Sequence, residues 1–146
     1  MKKSKQVWRG KNIKGFGKVK YKDLTSPQKE RFNFQKISGL LADYGFTTIL
    51  LSDDWNGADF LAVHRSGVTL NMQLKGRLSF YKKYRGNDLW VCFPQDDKWY
   101  IYPHDNLLKH VMNDKGNTVS WGKKGGYSFP KLSKKHQKLL SSYSLP

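Results

Sequence analysis

The stretch GADFLAVHRSGVTLNMQLKGR, residues 57–77, decides the fold. It contains two runs rich in apolar residues, DFLAV at 59–63 and VTLNMQLK at 68–75, joined by the short segment HRSG. Two such runs around a tight, glycine-containing turn are typical of a β-hairpin. We therefore predict two antiparallel strands here, the second of which continues toward Phe80.

Three polar side chains interrupt this apolar hairpin. Successive side chains of a strand point to opposite faces, so Gln73 and Lys75 share one face and lie about 7 Å apart along the strand. Asp59 stands at the open end of the hairpin, where it comes near both of them. The hairpin thus predicts a carboxylate, an amide oxygen, the backbone carbonyl of Leu74 and an ammonium group in one small volume.

A helix is predicted upstream, in TSPQKERFNFQKISGLLADYGF, with Ser26 as N-cap and Gly45 at its exit. Its apolar stripe contains Phe34, and one step of four residues back along the stripe is Glu30. If the stripe packs on the sheet, Glu30 reaches the same place as the hairpin residues. The alternative is that Glu30 in a first turn only complements the helix dipole.

The remaining pattern predicts an α/β protein with a mixed central β-sheet flanked by helices. We expect a basic N-terminal arm over 1–24 and one domain over 25–146, with its core at about 25–112. The other predicted elements are strands at 47–51, 89–93 and 99–102, a helix over 106–112, a short strand near 118–121, a loop over 122–130 and a last helix over 133–143.

Charge dominates the composition, with 27 Lys and Arg against 11 Asp and Glu, a formal net charge of +16. Such an excess favours a polyanionic partner, and nucleic acid is the usual one. An anionic membrane surface is the rival, but there is no long amphipathic basic helix to bind it. The sequence shows no signal peptide and no transmembrane span, and Cys92 is the single cysteine, so we expect a cytoplasmic protein without disulfides.

The polar set of the hairpin suits hydrolysis of a phosphodiester. Mg²⁺ takes oxygen ligands and needs only one or two protein carboxylates. A neighbouring lysine can hold the attacking water and offset the charge that develops in the transition state. The alternative is that polar residues simply occupy the open face of a half-exposed strand. No pair of the four histidines has the spacing of a zinc site.

Two basic segments are candidates for contacts with phosphates. The first directly follows the second hairpin strand and contributes Arg77, Lys82, Lys83 and Arg85. The second, GKKGGYSFPKLSKK, contributes Lys123 and Lys124 and is either a flexible clamp or a solvated loop.

The series Glu30, Gly57-Ala58-Asp59 and Gln73-Leu74-Lys75 resembles the PD-(D/E)xK nuclease superfamily, with its restriction-endonuclease-like core of αβββαβ type. The likeness covers about residues 25–112 and is greatest to the Holliday-junction-resolvase, Mrr-like and intron-associated homing-endonuclease branches. Two positions depart from the family pattern. Ala58 stands where the family has proline, and Gln73 stands where it usually has an acid, giving a QxK variant.

The resemblance implies a Mg²⁺-dependent DNA endonuclease that also accepts Mn²⁺ and acts as a homodimer. Asp59, Gln73 and the Leu74 carbonyl would bind the metal, Glu30 would complete its coordination, and Lys75 would orient the attacking water. The implied types are junction-resolving, homing and restriction enzymes. Two alternatives remain: a nucleic-acid-binding protein on a degenerate nuclease fold, in which Gln73 marks lost catalysis, and a nuclease that cleaves RNA.

Overall fold

The computed structural model describes residues 12–115 and 120–146, and only the backbone of 112–115, 120 and 123. Its helices are α1 (Ser26–Ala42), α2 (His104–Lys115) and α3 (Lys134–Leu140). Its strands are β1 (Phe46–Trp55), β2 (Ala58–His64), β3 (Thr69–Leu74), β4 (Leu78–Tyr81), β5 (Leu89–Gln95), β6 (Lys98–Pro103), β7 (Gly126–Phe129) and β8 (Ser144–Leu145).

Six strands form one mixed sheet in the order β1-β2-β3-β5-β6-β8. Only the β3–β5 pair is parallel, and the other neighbours are antiparallel. The predicted mixed α/β architecture is thereby confirmed. So is the hairpin, in which β2 and β3 pair with Phe60 opposite Met72.

Helix α1 covers one face of the sheet. It begins with a capping box in which the Gln28 backbone N–H donates to the Thr25 hydroxyl and the Thr25 N–H donates to the Gln28 amide. The N-cap is therefore Thr25 and not Ser26, because only Thr25 has a Gln three positions later to complete this reciprocal pair. The buried side of α1 packs in a cluster made by Ile37, Leu41, Phe60, Ala62, Met72 and Cys92.

The opposite face carries a second core, which joins α2 to the remaining strands. Its buried members are Leu78, Phe80, Val91, Phe93, Tyr102, Leu107, Leu108, Val111, Trp121 and Leu140. Among the described residues, no helix combines the length and the apolar character that crossing a membrane requires.

Two expectations about the chain after β3 were wrong. The hairpin strand does not run on toward Phe80; it ends at Leu74, and 78–81 form β4 in a separate two-stranded sheet with β7. The segment 122–130, predicted as a loop, contains β7. The glycines of this segment do not indicate a strand, but Gly126 is needed there because a Cβ would collide with the Tyr81 ring and the Phe80 carbonyl oxygen.

The connection from β3 to β5 also differs from the αβββαβ order. It consists of β4 and the 3-10 turn Lys82–Tyr84, and α2 follows β6 instead. At 118–121, residues 118 and 119 lie outside the described residues and a π-helical turn begins at Ser120, where a short strand was predicted. Residues 1–11 of the predicted arm likewise lie outside the described residues.

Candidate active site

An open cleft of about 730 Å³ lies where β2 begins and β3 ends. Its lining includes four residues predicted from the sequence as one site, together with further acidic, basic and aromatic side chains. The four predicted residues are Glu30, Asp59, Gln73 and Lys75, with Leu74 between the last two. The further side chains include those of Asp53, Asp54, Lys29, Arg31, Lys83, Tyr21 and Tyr84.

The hairpin fixes Asp59 against β3. Asp59 and Gln73 stand one position beyond the paired residues Phe60 and Met72. The Leu74 backbone N–H donates a 2.8 Å hydrogen bond to Asp59 Oδ2. This contact joins two residues far apart in sequence and holds the carboxylate across the end of the β2–β3 pair.

The electrostatic setting of Asp59 disfavours its charged form. Burial raises the pKa of this carboxyl and outweighs the hydrogen bond from Leu74 and the charge of Lys75, which act to lower it. The carboxylates of Asp54 and Glu30 raise it further. A carboxylate held in this way gains from a cation brought close to it.

Gln73 is nearly buried, with 7% of its surface exposed. Its amide nitrogen lies 3.3 Å from the Leu74 carbonyl oxygen, so two of the predicted metal ligands contact each other. A cation bound by both would require the amide to present its oxygen, a rotation that leaves the backbone in place.

Lys75 follows β3 and continues its pairing, because its backbone N–H donates to the Cys92 carbonyl at 2.9 Å. Its ammonium lies 4.6 Å from the centre of the Tyr81 ring and 5.5 Å from that of Tyr84. Burial and then the charge of Lys83 lower the pKa of Lys75, while Asp59 and Asp54 act against this.

The two tyrosines form an aromatic pair next to Lys75. Their rings meet edge to face at 5.3 Å. Burial, followed by the nearby Asp59, raises the pKa of Tyr84 to about 12, so its hydroxyl remains protonated. The Lys83 ammonium also lies over both rings, 5.7 Å from the centre of Tyr81 and 5.3 Å from that of Tyr84. The pair therefore restricts where the Lys75 ammonium can be.

A buried histidine supports this aromatic pair. His104 is fully buried, and its Nε2 accepts the Tyr81 backbone N–H at 3.1 Å. Its Nδ1 must then carry the proton, which it donates to Asp105 at 2.9 Å. Asp105 also accepts the Gly86 N–H at 2.9 Å, so the pair holds both ends of the segment that carries Tyr84.

These contacts set the charges of the histidine and the aspartate. Burial lowers the pKa of His104 despite the hydrogen bond to Asp105. Partial burial acts to raise the pKa of Asp105, but the hydrogen bonds from His104 and Gly86 outweigh it and lower the value. The histidine is therefore neutral when it accepts from Tyr81.

Asp54 belongs to the link SDDWNGA, 52–58, whose composition is typical of a turn. It lies near the end of β1, and its carboxylate accepts the Gly57 N–H at 2.7 Å. Its charge also acts on Asp59, Lys75 and Tyr84, which places it at the same cleft. The signal available in the sequence was two adjacent acids directly before the hairpin.

The donor set of the cleft is made of oxygen atoms, which suits Mg²⁺ or Mn²⁺. Among the described residues, no group of three Asp, Glu, His or Cys side chains is arranged to hold a metal ion. The fit therefore depends on few carboxylates, with Asp59 first, and on neutral oxygens from Gln73 and Leu74. This is compatible with Mg²⁺, which keeps several waters.

The predicted phosphate-binding residues are spread around this region. Lys83 lines the cleft, whereas Lys82 lies over the Trp121 ring at 5.6 Å. Arg85 lies near the His104–Asp105 pair, and its charge acts on both pKa values. Arg77 and Lys124 are exposed, and the side chain of Lys123 lies outside the described residues.

No protein-family model matches the chain, and no curated protein sequence matches it significantly. Among solved structures, the chain is similar to a bacterial homing endonuclease, I-Ssp6803I. The two share 16% sequence identity with a TM-score of 0.47, over 82% of this chain and 86% of that one.

Proposed function

We propose that this protein is a metal-dependent endonuclease that hydrolyses phosphodiester bonds of DNA. The observation that carries the proposal is the position of Glu30, Asp59, Gln73 and Lys75 around one open cleft. Oxygen donors on one side and a restricted ammonium on the other are what hydrolysis of a phosphodiester requires.

Each residue has a part in this chemistry. Asp59 would be the principal metal ligand, assisted by the Gln73 amide oxygen and the Leu74 carbonyl, and Glu30 would act directly or through water. Mg²⁺ or Mn²⁺, when bound, polarises the scissile phosphate and makes hydroxide available near neutral pH. Lys75 would hold the attacking water and stabilise negative charge on the phosphate oxygens.

The basic residues around the cleft supply the attraction for the substrate. Lys29, Arg31 and Lys83 border it, within a chain of net charge +16. Side chains of this kind position a phosphate backbone without reading its sequence. Because the described residues of each chain form one cleft with this set of side chains, cutting both strands of a duplex would need two copies, and we propose a homodimer for that reason.

A second candidate is a DNA-binding protein without catalysis. It is favoured by the hydrogen bond from the Gln73 amide nitrogen to the Leu74 carbonyl oxygen. Because both residues are predicted metal ligands, this bond engages one of them with the other. Calorimetric titration with Mg²⁺ and Mn²⁺ separates the two candidates. The endonuclease binds metal and loses that binding in Asp59→Ala, whereas the binding protein shows no difference between the two forms.

The proposal is tested by incubating the protein with supercoiled plasmid, a four-way DNA junction and total RNA, each with Mg²⁺, Mn²⁺ or EDTA. We expect cleavage of DNA with either metal and none with EDTA. Cleavage confined to RNA would replace DNA by RNA as the substrate, and absence of cleavage on all three would contradict the proposed activity.

A further inference from the structure

Residues 12–24, called the arm below, are the part of the N-terminal arm that the structure describes. The arm contains two short 3-10 turns, Ile13–Phe16 and Tyr21–Asp23, and none of the residues in either turn is buried. Every residue from 12 to 23 is exposed. The arm therefore gains little stability from a core of its own.

One side chain attaches the arm to the cleft wall. The Tyr21 hydroxyl accepts a 2.9 Å hydrogen bond from the side chain of Asn33, a residue of α1 that is only 7% exposed. The Tyr21 ring also meets Phe32 at 5.4 Å, and the Lys29 ammonium lies 5.4 Å from its centre. Tyr21, Lys29 and Asn33 all line the cleft, so the arm starts at the cleft mouth.

The surface of the arm combines positive charge with exposed apolar groups. It contains four lysines, Lys14, Lys18, Lys20 and Lys22, and one acid, Asp23. Among its apolar side chains, Ile13 is 79% exposed and Val19 is 65% exposed. Large apolar side chains this open to water gain from being covered by a partner. The lysines determine that this partner is anionic.

We propose that the arm binds the duplex beside the cleft, with its lysines on backbone phosphates and its apolar side chains against the groove wall. DNA offers both the regular negative charge and the sugar surface that such an arm can cover. The proposal rests on the function proposed above and extends it. The substrate would be a duplex that continues past the scissile bond, and Tyr21 would set where the arm meets it.

The test measures binding of a fluorescent duplex of about 30 bp in EDTA, where cleavage cannot occur, at salt concentrations from about 50 to 200 mM. The arm variant replaces Lys14, Lys18, Lys20 and Lys22 by Ser. The matched control replaces Lys98, Lys109, Lys134 and Lys138, which are exposed, carry the same total charge and do not line the cleft.

If all four arm lysines contact phosphates, the slope of log K against log salt falls by roughly 3.6 in the arm variant. Over that salt range the parent then loses roughly 100-fold more affinity than the arm variant does. The control should change the slope by much less. Equal changes in both variants would overturn the proposal, since they would reflect net charge alone, and so would an unchanged slope in the arm variant.

A second pair of variants tests the attachment without changing charge. Tyr21→Phe removes only the hydrogen bond to Asn33, and Tyr21→Ala also removes the ring contacts. We expect affinity for the duplex to fall several-fold in Tyr21→Ala and less in Tyr21→Phe, with unfolding temperatures within a few degrees of the parent. Parent-like affinity in Tyr21→Ala would contradict the anchoring role.

The outcome for the arm is separate from the outcome for catalysis. If the parent cleaves DNA but the arm variant keeps the parent's salt slope, only the arm proposal fails. A protein that shows the arm effect but never cleaves fails only the proposed activity.

Discussion

The carboxylate of Asp59 accepts a 2.8 Å hydrogen bond from the Leu74 backbone N–H, and so joins the start of β2 to the end of β3. This contact orients an acid that would otherwise rotate freely. The acid nevertheless has a raised pKa, because burial outweighs the hydrogen bond. The residue proposed as the principal metal ligand is thus one whose charge weakens the fold in the absence of metal.

That charge predicts the effect of Asp59→Asn on stability. A carboxyl whose folded pKa lies above its unfolded value of about 3.9 destabilises the folded state once the pH exceeds both values. Asp59→Asn should therefore unfold at a temperature on the order of a few degrees higher at pH 7 in EDTA, and this gain should shrink as the pH falls through the raised folded pKa and vanish near the unfolded value of about 3.9. Differential scanning calorimetry measures both.

Asp54→Asn is the matched control, because Asp54 is exposed and also accepts a backbone N–H. It should give a smaller gain. A lower unfolding temperature for Asp59→Asn at pH 7 would show that its ionised form stabilises the fold.

The position of Gln73 beside Asp59 allows a prediction of how the proposed metal site responds to an added negative charge. Gln73→Glu places a second carboxylate beside Asp59 in the cleft. Mg²⁺ affinity measured by calorimetry should rise on the order of tenfold, and unfolding in EDTA should occur at a lower temperature. Gln73→Met keeps the size of the side chain and supplies no oxygen ligand. An unchanged Mg²⁺ affinity in both variants would remove Gln73 from the metal site.

The contact between the Tyr81 ring and the Lys75 ammonium predicts that cleavage depends on the ring and not on the Tyr81 hydroxyl. Tyr81→Phe keeps the ring that faces the ammonium at 4.6 Å, and Tyr81→Leu removes it. Because Lys75 must be held in place to orient water, kcat for DNA cleavage should fall about tenfold in Tyr81→Leu and stay near the parent value in Tyr81→Phe. Equal rates in the two variants would show that the ring does not position Lys75.

The lowered pKa of the buried His104 predicts that the folded protein loses stability in mild acid. Its pKa in the folded protein lies below the ordinary value of 6.5, so below that value the unfolded chain takes up a proton that the folded chain does not. Stability should therefore fall as the pH drops through about 6.5 toward the folded pKa, measured by urea unfolding between pH 5 and 8.

His104→Gln should remove this part of the pH dependence, and His64→Gln controls for the loss of one imidazole. His64 lies at the hairpin turn against Ser66, at 2.7 Å. The same pH dependence in His104→Gln and the parent would contradict the neutral, buried role of His104.

The sequence was most informative where a local pattern controls geometry. Alternation in 68–75 and the tight turn before it were enough to pair β2 with β3 and to bring Asp59 to Gln73. The Glu30 expectation also led to the cleft. Glu30 lies one step of four residues before Phe34, whose ring meets that of Phe60 at 5.2 Å, and all three residues line the cleft.

The sequence was least informative where long-range contacts decide the outcome. The partner of β4 is β7, which follows the glycines at 122 and 125 and is far from β4 in sequence, and no local pattern predicts that pairing. The same holds for His104 at the start of α2, whose acceptor role depends on the Tyr81 N–H of β4. Asp54 was undervalued because two acids in a turn-rich link have an ordinary explanation until the fold brings them to the cleft.

The central claim is that Asp59 and Lys75 act together in metal-dependent cleavage of DNA, and the initial rate of plasmid nicking in Mg²⁺ tests it most directly. The parent is compared with Asp59→Asn, with Lys75→Met and with Lys98→Met as an exposed-lysine control. We predict that Asp59→Asn and Lys75→Met nick at least ~100-fold more slowly, with affinity for DNA retained, and that Lys98→Met matches the parent. Nicking by Asp59→Asn or Lys75→Met as fast as by the parent would contradict the account.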